Sequence, residues 1–241
     1  MKYHERTYRK RMEVKHLVSF EVCVRETDLM IFADRDLTQE ALRSVHYFRT
    51  HIESYILQNP SFETSLIPLP LDGKAPPIVQ EMLYAGKLAN VGPMASVAGA
   101  IAEFVGRDLQ RSCVNVIIEN GGDIYLNSGK DLKIGIFTGE STLSDRIAIR
   151  ILAAQMPLGI CTSSATVGPS LSLGKADAVC IVSKNTALAD AMATSVGNSV
   201  KCKDDIREAL EYAVSIPNII GAVIIIDDAV GVKGDLQLIK F

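Results

Sequence analysis

The stretch CVNVIIENGGDIYLN, residues 113–127, carries the clearest statement of architecture in the chain. Two apolar runs, Cys113–Glu119 and Asp123–Asn127, are rich in β-branched residues and flank Asn120-Gly121-Gly122. Asn-Gly between such runs is a strong hairpin signal, because glycine supplies the positive φ that a tight turn needs. The same two glycines would let a phosphate or a flat ring approach the backbone closely. Glu119–Asp123 therefore reads either as a plain turn or as a ligand cradle.

Further paired strands flank this hairpin. Glu13–Arg25 and Asp28–Ala33 alternate around a turn at Glu26-Thr27. Strands are also predicted near 132–138 and 146–152 and at Ala178–Ser183, with Ala222–Ile226 and Leu236–Ile239 as a terminal pair. Apolar residues at helical spacing place helices at 38–58, with Asp36 or Thr38 as N-cap, at 77–89, at 187–198 and at 204–215. Another starts at Pro93, where proline suits the first helical position. Its surface (Ala95, Ser96, Ala98, Gly99, Ala100, Ala102) is small enough for another backbone or a flat ligand to come close. Paired strands interrupted by helices predict an α+β fold rather than a strict βαβ alternation. The expectation is one domain over 1–241, with a proline-rich connector near 60–77 as its only candidate division.

Composition narrows the function. In 241 residues, 48% hydrophobic content provides for a core, and a net charge of −3 gives no reason to expect a nucleic-acid or anionic-membrane binder. The first 16 residues are locally basic, which reads as a solvated or edge-strand terminus or, functionally, as an anion, RNA or subunit contact. No apolar signal-type segment follows them. Five cysteines without a C-x-x-C pair argue against a disulfide framework or a structural zinc site and predict a reduced, cytoplasmic protein. The longest run without charge, 151–174, contains Pro157, Gly159, Gly168 and Pro169 among hydroxyl residues, so it does not read as a membrane span. It reads as a strand entering a Ser/Thr-lined wall. Several sheet edges suggest a homodimer.

Two further groups could carry chemistry. Thr162, Ser163, Ser164 and Thr166 offer uncharged donors and acceptors, as a pocket wall or as a polar loop. Asp190 and Thr194, four apart on a helix, share a face and supply the hard oxygens that Mg²⁺ prefers; the plain alternative is an acid near a helix start. All four histidines lie within the first 51 residues, and neither phosphate-binding glycine signature is present. A histidine triad and the common nucleotide folds are thus disfavoured.

Taken in order, Asn120-Gly121-Gly122-Asp123-Ile124, Thr162-Ser163-Ser164 and Asp190-Ala191-Met192-Ala193-Thr194 resemble three motifs of the ApbE-like superfamily, whose best-known members are FAD:protein FMN transferases. The resemblance implies antiparallel sheets with flanking helices around a central ligand cleft. It implies FAD or FMN held by Asn120, Gly121, Gly122, Thr162, Ser163, Ser164, Met94 and Ala95. It also implies Mg²⁺ on Asp190 and Thr194, with Asp123 or Asp177 orienting or deprotonating an acceptor. Arg6–Tyr8, Glu26–Leu29, Gly92–Ala95, Glu119–Asp123, Cys161–Ser164 and Gly174–Val179 are similar to a compact branch linked in methanogenic archaea to sulfide assimilation and homocysteine formation. The transferases' H-x-x-D-P segment has no counterpart in Gly168-Pro169-Ser170-Leu171-Ser172. Flavin-nucleotide and Mg²⁺ binding are therefore implied more directly than flavinyl transfer, and turnover stays open. The competing reading is a non-catalytic accessory protein with Cys161 as a persulfide carrier and with Cys113 and Cys180 as buried strand residues.

Overall fold

The computed structural model describes residues 6–138, 147–164 and 174–240. The first hairpin joins β1 (Val18–Val24) to β2 (Thr27–Ala33) through Arg25-Glu26, with Arg25 left-handed at φ 54°. The turn thus falls one residue before the expected Glu26-Thr27. The N-cap position of α1 (Thr38–Gln58) is Leu37 rather than the expected Asp36 or Thr38, and Asp36 Oδ1 accepts the Thr38 amide at 2.9 Å from just outside it. The connector contains α2 (Ser61–Thr64), whose Phe62 is buried against the Tyr55 ring. Helices α3 (Pro77–Ala89) and α4 (Val97–Leu109) follow, the latter entered through a 3₁₀ turn at Pro93–Ser96.

Next come β3 (Val116–Asn120), β4 (Asp123–Asn127), β5 (Leu132–Gly135), β6 (Ile147–Ile151), β7 (Leu158–Ser163) and β8 (Ala178–Ser183). Cys113 precedes β3 rather than lying in it, and it is half-buried. The chain continues through α5 (Thr186–Ser199), α6 (Ile206–Ser215), β9 (Ile219–Ile226), β10 (Ala229–Gly234) and β11 (Gln237–Lys240). Eight strands form one sheet in the order β1-β2-β3-β4-β7-β8-β9-β10, and β11-β6-β5 form a second; every pairing is antiparallel.

The large sheet is covered on both faces. Ile118, Cys161, Val179, Ile181 and Ile224 pack with the helices. Their strand neighbours Ile117, Ile160, Cys180, Val182 and Val223 pack on Leu132, Ile149 and Ile151 of the small sheet. Burial on both faces explains why these strands read as continuous apolar runs instead of alternating. It also accounts for the start of the uncharged run, since β7 has no solvent-facing side. Among the described residues no single helix is long and apolar enough to cross a membrane.

The expected pairing of 222–226 with 236–239 is overturned. Left-handed Asp227 (φ 53°) folds β9 back onto β10, a strand too polar and glycine-rich to stand out in the sequence. Gly234 (φ 104°) then redirects the chain, and β11 pairs with β6 in the small sheet.

At the crossing of α4 and α5, a Cβ on Gly99 would lie 2.5 Å from the Thr186 carbonyl oxygen and 2.8 Å from Asp190 Cβ. At this point the small face of α4 therefore receives another backbone. Gly99→Ala should destabilise the protein by about 1–3 kcal/mol through overpacking, read as a lower urea midpoint. An unchanged midpoint would show that the crossing tolerates a methyl group.

Candidate functional site

The starts of α4 and α5 are bound to each other. Glu103 of α4, buried, accepts the Thr186 amide at the first residue of α5 (2.6 Å) and also pairs with Arg107. Asn185 caps the same end through the Leu188 amide (2.7 Å) and is itself held by Glu81 of α3. In return, Asp190 Oδ2 accepts the Gly99 amide at the start of α4 (2.8 Å), and the Ala98 amide also supports this carboxylate. A helix start presents unpaired amides and a positive dipole end, so each carboxylate is drawn to the other helix.

The Gly-Gly turn lies against this junction. Asn120 donates its side-chain amide to the Ala98 carbonyl (3.0 Å), while Gly121 and Gly122 adopt φ of 70° and 104°. The Gly122 carbonyl accepts the Thr162 amide (3.2 Å), and register places Asp123 opposite Cys161 on β7. The Cys161 thiol donates to the Thr186 carbonyl (3.4 Å) and is also bonded to Asp123. Ser163 borders α5, where a Cβ on Gly197 would come within 3.4 Å of its Oγ. Gly197 lies two helical turns beyond Asp190 on that flank, and half-buried Thr194 lies between them.

The electrostatics follow from this packing. Burial and the Asp190 charge push the buried Asp123 carboxyl well above the usual carboxylate range. Burial likewise raises Asp190, to about 7, although the Gly99 and Ala98 amides pull the other way. The Cys161 thiol is pushed well up by burial and then by Asp123 and Asp190, and burial raises Cys180 to about 12. A reactive thiolate needs exposure and a lowered pKa. Cys161, fully buried, has neither.

The structure thus brings together Asn120, Gly121, Gly122, Asp123, Thr162, Ser163 and Asp190. Met94 and Ala95 lie in the 3₁₀ turn entering α4, half-buried against the core. Ser164 is the last described residue before 165–173. Thr166 and the Gly168–Ser172 segment lie outside the described residues. Asp177 is turned elsewhere: its Oδ2 accepts the Asp227 amide (2.7 Å) and ties β8 to the β9–β10 turn. Among the described residues no group of three or more His, Cys, Asp or Glu side chains converges as a metal set. Any cation here would rely on few protein ligands. A recess of about 250 Å³ lined by His51, Tyr55, Asp72 and Pro76 contains none of these groups.

Sequence reasoning missed the N-terminal turn. Residues 6–11 are not a solvated arm, because a 3₁₀ turn (Thr7–Arg11) docks on the glycine turn. The Tyr8 hydroxyl donates to Glu119 Oε1 (2.7 Å), and Arg9 Nε donates to Glu119 Oε2 (2.6 Å). Arg9 also bonds the Asp28 carboxylate and carbonyl, both at 2.7 Å, and is only 8% exposed. Glu119 in turn accepts the Gly122 amide (2.9 Å). The available signal was one acid in each of two apolar strands, Asp28 and Glu119, since a buried carboxylate needs a partner.

The fold and the sequence both have known counterparts. The fold resembles the flavin transferase ApbE of Vibrio cholerae, with a TM-score of 0.57 at 12% identity over 90% of this chain and 96% of that one. It also resembles the ApbE protein of Thermotoga maritima, with a TM-score of 0.57 at 11% identity over 91% and 97%. These likenesses define an ApbE-like fold. In sequence, the chain is 42% identical to a UPF0280 protein of Methanocaldococcus jannaschii over 226 residues, 91% of this chain and 92% of the relative. It is 39% identical to a UPF0280 protein of Methanococcus aeolicus over 231 residues, 93% of each. The family model described as "AbpE bacteria" matches residues 9–232, and the chain belongs to that family, within the ApbE-like superfamily.

A carboxyl raised in the folded state holds its proton there after the unfolded chain has lost it. Its ionisation therefore costs stability as pH rises from about the ordinary 3.8 towards about 7. In metal-free buffer, Asp190→Asn should remove this cost, so its melting temperature relative to wild type should climb between pH 4 and 7.5. A constant difference across that range would contradict the electrostatic account.

Proposed function

We propose that this protein binds a flavin nucleotide, or a related diphosphate, together with Mg²⁺ at the junction of the glycine turn, the end of β7 and the starts of α4 and α5. The observation that carries the reading is buried Asp123, next to Gly121-Gly122, held close enough to Asp190 on the α4 start for the Asp190 charge to oppose its ionisation. Two buried carboxyls, one of them further opposed by the charge of the other, suit a site completed by a divalent cation. Asp190 and Thr194 supply hard oxygen donors, and Mg²⁺ commonly takes only one or two protein ligands, with phosphates and waters completing its shell. Asn120, Thr162 and Ser163 give uncharged polar lining to a ring or phosphate, and Met94 and Ala95 supply apolar contact beside it. The likeness of the fold to flavin transferases supports this choice of ligand.

The same site supports transfer chemistry. When bound, Mg²⁺ would offset charge developing on a leaving phosphate. With FAD as donor, an acceptor hydroxyl oxygen forms a bond to the FMN-side phosphorus, the phosphoanhydride breaks, and AMP leaves. The hydroxyl proton goes to Asp123 in its ionised form, which bound Mg²⁺ would favour, and whose raised proton affinity makes it a better acceptor than an ordinary carboxylate.

FAD or FMN with Mg²⁺ should raise the melting temperature; ligand at a hundredfold excess over its Kd stabilises by about 2.7 kcal/mol. EDTA and Asp190→Ala should each shrink the shift. If neither flavin nucleotide moves the melting curve in the presence of Mg²⁺, the flavin reading is wrong.

A further inference from the structure

The N-terminal turn is not explained by core packing alone. It brings half-buried Tyr8 and buried Arg9 together on one carboxylate, Glu119, which also accepts the Gly122 amide. Tyr8 also stacks at a tilt on Phe137, at 5.8 Å between ring centres. These contacts fix Arg6, the residue just before the 3₁₀ turn, over the glycine turn. Arg6 Nη1 donates to the Asp28 carbonyl (2.7 Å) and lies 3.4 Å from the Asp28 carboxylate. Its other terminal nitrogen, Nη2, would be 3.4 Å from a Cβ placed on Gly121. Among the described residues Nη2 makes no hydrogen bond, and the side chain keeps 21% exposure.

Arg9 and Arg6 therefore differ in kind. Arg9 is consumed by two carboxylates, Asp28 and Glu119. Arg6 is anchored by one edge only, and its second edge borders the positive-φ backbone of Gly121-Gly122, where no side chain intervenes. A guanidinium held by one edge presents a planar pair of donors to an incoming oxyanion, the geometry that favours phosphate and carboxylate. Gly121 fits this arrangement, since a side chain there would occupy the space beside Nη2.

We propose that Arg6 is a ligand-contacting residue, donating from its free edge to an anionic group, a phosphate or diphosphate, seated on the Gly121-Gly122 turn. The N-terminal turn is then a wall of the binding site. Identification of the anion as part of a flavin nucleotide rests on the function proposed above, whereas the anion contact itself does not.

The two are separated by titrating wild type, Arg6→Gln and Arg6→Lys with FMN, riboflavin and inorganic pyrophosphate in Mg²⁺ buffer by calorimetry. Ligand-free melting curves would check folding. Wild type should bind FMN more tightly than riboflavin, and Arg6→Gln should weaken FMN roughly tenfold or more while leaving riboflavin unchanged, as for loss of a charge-assisted hydrogen bond. Arg6→Lys should recover part of the loss, because charge returns without the fork. If Arg6→Gln destabilises the fold, Arg6→Lys alone decides, since it must still weaken FMN relative to riboflavin. Equal FMN affinity in wild type and both variants overturns the Arg6 contact and leaves flavin binding intact. Pyrophosphate binding that depends on Arg6, without any flavin binding, supports the contact and removes the flavin. No binding of any of the three by wild type overturns both.

Discussion

Two carboxylates exchanged between two helix starts hold the centre of this molecule. Glu103 leaves α4 to take the first amide of α5, and Asp190 leaves α5 to take an early amide of α4. One helical turn separates the partners on each side, so the helices must cross with opposite polarity. The crossing must also be close, and Gly99 makes it so. Leaving a buried amide unpaired costs about 1–3 kcal/mol, so neither carboxylate can swing away cheaply. Everything else at the site is hung on this exchange: Asn120 reads the Ala98 carbonyl beside it, and the Cys161 thiol reads the Thr186 carbonyl below it.

The exchange has an electrostatic consequence. Glu103 is balanced by Arg107, which lies on its own helix. Asp190 is answered only by backbone amides and sits near Asp123, so the site holds more acid than the protein itself neutralises comfortably. Buried charges are ordinarily paired, and the pairing elsewhere in this region follows the rule, with Arg9 spanning Asp28 and Glu119. One acid pair is thus fully matched, whereas in the other Asp123 is eased only by the Cys161 thiol and the Arg6 charge.

Much of the fold was legible in the residues. Helices at 38–58 and 77–89 and the strand at Ala178–Ser183 coincide with the observed elements, because proline, asparagine and strong apolar periodicity mark their ends. The terminal strands were misjudged for the opposite reason. β10, with Gly231 and Gly234 and mostly half-exposed or exposed residues, carries no apolar signature, so the visible run 236–239 was given its partner. The glycine turn, the Ser/Thr stretch and the Asp190 helix were legible as motifs in order. Arg6 and Tyr8 were legible as a motif and Arg9 as part of a basic terminus, but no periodicity links Arg9 to Glu119, 110 residues away.

By itself the sequence determined the local elements, the antiparallel α+β class and the identity of the motif residues, because turn chemistry and apolar spacing act over a few residues. It could not rank Asp123 against Asp177, two acids of equal standing in their motifs. Tertiary structure separated them. One lies buried opposite Cys161 and beside Asp190, and the other is occupied by the Asp227 amide at the sheet edge. It likewise docked a basic terminus on the glycine turn and made a fully buried cysteine a hydrogen-bond donor. Those outcomes depend on strand register and helix crossing, which are set by contacts between residues far apart in the chain.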